Sequence, residues 1–163
     1  MAYLASVGVV HRKLSTRNVL LHKEENKSQR AKIADFSLAR LLDKEGVYKA
    51  KWTLDKADLM PVRAKWSPPE AVIEGLFTVK SDVWSYGIFL YEMVTKGGTP
   101  YPGIQDHAIT LLVSGGHRMA KPEGCPNAIY ETMLDCWQEK PSLRPSFDFL
   151  KKSMEQYMAS IRD

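Results

Sequence analysis

The run from Ser81 to Thr95 limits what this chain can fold into more than any other stretch. Val83, Gly87, Leu90 and Val94 recur on one helical face, and Trp84, Ile88 and Tyr91 recur on another. A helix that is apolar nearly all round belongs in the middle of a domain rather than on its surface. Ser81 is expected to cap its start, and Gly97-Gly98 to end it. Its most apolar part, 83–94, is interrupted by Ser85, Gly87 and Glu92 and falls short of the roughly 20 residues a membrane span requires. The chain must therefore wrap a buried helix. With 163 residues, 44% of them hydrophobic and 26% charged, it can build one core around it.

The remaining helices follow from spacing and punctuation. Residues 1–10 read as the tail of a helix broken at Gly8. Pro68-Pro69-Glu70-Ala71-Val72 starts a short helix with proline in its first turn. Residues 106–114 form an amphipathic helix closed by Gly115-Gly116, and residues 127–138 form another opened by an Asn127 cap. The last runs from Ser146 to Ile161, where Phe147, Leu150, Met154, Tyr157 and Ile161 make one stripe of core packing. Val19-Leu20-Leu21 and 31–34 read as two short strands flanking a polar loop. Residues 38–67 show no sustained period and are expected to be a long loop, which inside a compact domain is usually functional.

Composition excludes several classes. The net charge of +4 is spread along the chain with no block of five like charges, which argues against nucleic acid or a membrane surface as partner. Cys125 and Cys136, the two cysteines, have neither metal-ligand spacing nor the density of a disulfide scaffold. Free thiols in a reducing compartment are the expectation. The N-terminus lacks the basic flank of a signal peptide.

The chemistry sits in His11-Arg-Lys-Leu-Ser-Thr-Arg-Asn18 and Asp35-Phe36-Ser37. Further pieces follow in order: Lys65-Trp-Ser-Pro-Pro-Glu70, Ser81-Asp-Val-Trp-Ser-Tyr-Gly87, Thr99-Pro-Tyr-Pro-Gly103, and Cys136-Trp-Gln with Arg144-Pro-Ser-Phe147. Together with Met1-Ala-Tyr-Leu4 this series resembles the C-terminal lobe of a protein tyrosine kinase from end to end. Arg17-Asn18 and Lys65-Trp66 point to the tyrosine-specific branch. The resemblance implies a mainly α fold, a kinase-like C-terminal lobe over residues 1–163, with a helical bundle and a small β-hairpin element. It implies roles as well: Asp35 and Asn18 as holders of Mg²⁺ against the phosphates of ATP, with Arg17 and Asn18 in the catalytic loop. Tyr48 resembles an activation-loop phosphosite, where a phosphate would add about two negative charges for Arg12 and Arg40 to bind. Glu70 and Arg144 resemble a buried structural pair, and Asp82 a helix-start carboxylate that receives backbone N–H groups from the catalytic loop.

Three departures bear on activity. The family places Asp at position 13, where its carboxylate orients or accepts the acceptor hydroxyl's proton; protonated Lys13 has no lone pair to offer. Loss of a general base typically lowers the rate by about 10²- to 10⁴-fold. Ser37 replaces a glycine, whose backbone freedom Ser would reproduce at some cost. No glycine-rich loop, no strand lysine in a Val-Ala-Ile-Lys setting and no partner Glu occur, so the N-terminal lobe is expected to be absent. Residues 61–66 also carry extra residues relative to the family's pattern. Two functions follow: a catalytically impaired or inactive pseudokinase fragment that binds signalling proteins, or a partial chain of an active tyrosine kinase using ATP and Mg²⁺. A cytoplasmic location, or the cytoplasmic part of a receptor, fits both. Apolar surface left without the other lobe is expected to favour self-association.

Overall fold

The computed structural model describes residues 1–24, 29–50 and 63–161. Among them are six α-helices: α1 (Ala2–Ser6), α2 (Pro69–Ile73), α3 (Val79–Val94), α4 (Asp106–Ser114), α5 (Asn127–Cys136) and α6 (Phe147–Ser160). Six short strands accompany them: β1 (Val9–Val10), β2 (Val19–Lys23), β3 (Gln29–Ile33), β4 (Arg40–Leu41), β5 (Tyr48–Lys49) and β6 (Leu76–Phe77).

Helix α3 is central, as its composition requires. Val83, Trp84 and Ile88 are fully buried and form one core with Met133, Cys136 and Trp137 of the α5 region and Phe147 and Leu150 of α6. The helices α3 and α5 approach closely at Gly87. A Cβ there would lie 2.6 Å from Trp137 Nε1 and 2.8 Å from Cys136 Cβ, so hydrogen is the only substituent that fits. The start of α3 corrects the sequence expectation. Thr78, not Ser81, is the N-cap: Lys80 N–H donates to Thr78 Oγ1 at 3.1 Å, and Ser81 Oγ accepts from Thr78 N–H at 3.0 Å. Ser81 is the third residue of a reciprocal capping box. Past Thr95 the chain turns at Gly97, whose φ of +91° is open to glycine, and Gly97 N–H donates to Glu92 O at 2.7 Å.

Helix α4 has the expected bounds. In α5 the cap is Pro126, held extended, while Asn127 is already helical and accepts from the Lys121 ammonium instead. Ser146 caps α6 by accepting from Phe149 N–H. Only the first half of the α6 stripe is core: Phe147 and Leu150 are buried, Met154 and Tyr157 half-buried, and Ile161 exposed.

β2 and β3 form an antiparallel hairpin in register from Val19↔Ile33 to Lys23↔Gln29. The expectation of a featureless stretch over 38–67 is corrected within its described residues. β4 pairs with β1 (Val9↔Leu41, Val10↔Arg40), β5 pairs with β6 (Tyr48↔Phe77, Lys49↔Leu76), and Ala64–Trp66 is a 3-10 turn. Two-residue strands are too short to show a period. Val10, Ala50, Ala71 and Phe77 bury a second, smaller cluster beneath them. The extra residues read at 61–66 begin at positions 61 and 62, which lie outside the described residues.

Candidate functional site

The buried helix α3 positions the loop from His11 to Asn18 through two carboxylates. Asp82, fully buried, accepts His11 N–H at 2.6 Å and Arg12 N–H at 2.9 Å. Burial pushes its carboxyl up to about 6, while the same two N–H groups favour the ionised form. Arg12 stands in the left-handed region at φ +66°, a conformation that Asp82 holds by taking its N–H. Further along α3, Glu92 accepts Thr16 N–H at 3.0 Å. Leu14 is buried between these two anchors.

His11 links this loop to the Asp35-Phe36-Ser37 turn. Its Nε2–H donates to Ala34 O at 3.1 Å, its Nδ1 accepts Lys13 N–H at 3.2 Å, and one neutral tautomer satisfies both. Burial lowers its pKa, in keeping with a neutral ring. Phe36 meets that ring edge-on at 5.0 Å between centroids. Asp35 itself is left-handed, at φ +61°. Ser37 is not: it lies within a right-handed 3-10 turn, so its side chain costs the backbone nothing, and the expected strain at this position is corrected.

What Ser37 and Lys13 do instead defines the site. Lys13 Nζ lies 2.6 Å from Asp35 Oδ2, and the Ser37 hydroxyl donates to Asp35 Oδ1 at 2.6 Å. Lys13 Nζ also reaches Ser37 Oγ at 3.4 Å. The Lys13 ammonium, joined by the Ser37 hydroxyl, holds the Asp35 carboxyl down at about 2. Asn18, buried, donates through Nδ2 to Lys13 O at 2.7 Å. Lys13, Asn18 and Asp35, three of the residues expected at the site, are therefore in one place, and Ser37 joins them.

The other expected residues fall into separate groups. Arg17 is exposed, beside Arg63, whose guanidinium is lowered to about 10 by burial and by Arg17's charge. Tyr48 is half-buried in β5, with the Arg12 guanidinium 4.9 Å and that of Arg40 5.8 Å from its ring centroid. Arg12 also covers Phe77 at 4.2 Å, so both cations rest against aromatic faces. Glu70 and Arg144 form a two-pronged pair, Oε1 to Nη1 at 2.6 Å and Oε2 to Nη2 at 3.1 Å, with the arginine side chain fully buried.

Sequence reasoning missed three supports. Glu92 was visible as the one carboxylate within the most apolar run of the chain, where an unpaired charge would be costly. Arg63 donates to Ser15 Oγ at 3.1 Å and stacks on Trp66 at 3.7 Å; Ser85 Oγ donates to Trp66 O at 2.7 Å. Nothing in their local sequence signals these.

A loop anchored by a buried helix carboxylate, set against an Asp-Phe-Ser turn, with an Arg–Glu pair behind it, is the arrangement of a protein kinase. The comparisons agree. The sequence model for "Protein tyrosine and serine/threonine kinase" matches residues 1–154, and the chain belongs to that family. It is 45% identical to "Tyrosine protein-kinase src-1" of Caenorhabditis elegans over 99% of this chain and 30% of that protein. It is 41% identical to "Tyrosine-protein kinase SRK3" of Spongilla lacustris over all of this chain and 46% of that protein. The chain thus spans less than half the length of either relative. Among the described residues no helix is long and apolar enough to cross a membrane.

Kinases of this family use ATP with Mg²⁺ held by oxygen ligands. Here the donor set does not fit that ion. Both Asp35 oxygens are engaged, one of them by an ammonium, which is the misfit; Asn18 donates through Nδ2 to Lys13 O, a contact that does not involve its amide oxygen. Among the described residues no three His, Cys, Asp or Glu side chains gather as a metal site.

Proposed function

We propose that this chain is the C-terminal-lobe portion of a tyrosine-specific kinase-like domain, catalytically impaired or inactive, that acts in signalling by binding other proteins. One observation carries the reading: at the position of the catalytic base stands a lysine whose ammonium is 2.6 Å from Asp35. Phosphoryl transfer asks the protein mainly for positioning and charge placement. This site offers the acceptor hydroxyl a cation in place of a proton acceptor. The anchors of this loop, Asp82 and Glu92, are in place, which suits a binding role. The exposed leucines of β2, Leu20 and Leu21, give a cytoplasmic partner or a second copy apolar surface to cover.

The test is transfer from Mg·ATP to a tyrosine peptide by the purified chain. No phosphotyrosine above a no-enzyme control is expected. Lys13→Asp, in the chain joined to a relative's N-terminal lobe, is expected to raise transfer by about 10²- to 10⁴-fold. Robust transfer by the unaltered chain alone would establish the alternative, an active protein tyrosine kinase of which this is a part.

A further inference from the structure

We propose that Lys13 is the resident cation of this site: its ammonium takes the place on Asp35 that a divalent ion would need, and it keeps Mg²⁺ and Mn²⁺ out. The inference deepens the reading above by naming what the altered loop does to the metal site. It concerns metal occupancy and stands or falls separately from phosphoryl transfer.

The ammonium is held as well as attracted. Lys13 N–H is fixed on His11 Nδ1 and its carbonyl receives the Asn18 amide, so the side chain starts from an immobilised backbone. The side chain is only 14% exposed, and Nζ touches both Asp35 Oδ2 and Ser37 Oγ. A cation delivered by a short tether competes at an effective concentration in the millimolar range or above, against which a free ion must bind from bulk.

The charges agree with that exclusion. Asp35 contributes −1 and Lys13 +1, so the pair is neutral and gives a divalent ion no net attraction. Of the other side chains that meet this turn, His11 is held neutral by its two hydrogen bonds, and Arg12, whose guanidinium donates to Leu38 O at 3.3 Å, adds positive charge. Mg²⁺ also sheds water reluctantly and binds where carboxylates are unencumbered. Here the second carboxylate oxygen already receives the Ser37 hydroxyl. To enter, the ion would have to break the ion pair and that hydrogen bond together.

The experiment is paramagnetic broadening of backbone amide signals by Mn²⁺ in the full chain, without nucleotide. In the unaltered protein, residues 13, 18 and 35–37 are expected to stay sharp at Mn²⁺ concentrations that broaden them in Lys13→Met. The variant's midpoint is expected to be at least about tenfold lower, because a unit charge at contact distance acts on a divalent ion even in high dielectric. Asp35→Asn added to Lys13→Met is expected to abolish the broadening. Lys13→Gln, polar and of similar length, serves where the Met variant fails to fold. Equal midpoints in the unaltered and variant chains would overturn the proposal, as would variants that stay sharp throughout. Either result leaves the transfer assay to judge the kinase reading by itself.

Discussion

Two regions of this molecule are built to different standards. Around α3 the side chains are locked: Val83, Trp84 and Ile88 are fully buried, and Gly87 lets α5 come to contact. The face that carries Lys13 and Asp35 is made of two-residue strands and a hairpin open on both sides. Leu20 is 57% and Leu21 70% exposed, and the Asp35 side chain 36%. Such a hairpin has marginal stability alone. The site owes its order to groups sent out from the core, chiefly Asp82 and Glu92. Precision at an exposed site can thus be borrowed from a buried helix.

The largest expected effect tests the core side of that contrast. Arg144→Ala leaves the Glu70 carboxylate without its partner and is expected to destabilise the fold by about 3–5 kcal/mol. A shift in the urea midpoint worth less than 1 kcal/mol, by the usual linear extrapolation, would show that the pair is not structural. Gly87→Ala comes next, at about 1–3 kcal/mol, since the added methyl meets Trp137 and Cys136 within 3 Å. Thermal unfolding unchanged by this variant would break the picture of a tight α3–α5 contact.

On the open face the effects shrink. Leu21→Ser is expected to move stability by no more than about 0.5 kcal/mol, the usual range for an exposed position. A larger loss would mean that the hairpin is covered in solution. The smallest effect is local and depends on pH. The Asp35 carboxyl is depressed from its ordinary 3.8 to about 2, chiefly by the Lys13 ammonium. Its stabilising contribution is complete above 3.8 and disappears as pH falls through about 2. Carboxyl ¹³C titration is expected to show that low midpoint, returning toward 3.8 in Lys13→Met; an ordinary midpoint in the unaltered chain would mean the pair does not form.

How much of this was legible in the sequence depends on the range of the interaction. Helix α4 was read to the residue, and α3 missed only its first turn. There Thr78 and Ser81 are both able to cap, and only the reciprocal hydrogen bonds decide between them. The β1–β4 and β5–β6 pairs were invisible because two residues carry no period, and because their partners lie about thirty residues apart. At the site, the substitution at Lys13 is plain once the family pattern is seen. At Ser37 the exchange of a glycine points to the backbone, while in the structure the hydroxyl is what matters. Glu92 stands out as a lone carboxylate in an apolar run, but its partner Thr16 lies far off in the sequence, and Arg63 acts across a distance that no local signal spans.

The two α3 carboxylates grip the His11–Asn18 loop by main-chain N–H groups, at His11, Arg12 and Thr16. Those groups are the same whatever side chain position 13 bears. The loop's shape is thereby uncoupled from the side chain it presents: an exchange at position 13 can change the local chemistry and leave the backbone path as it was.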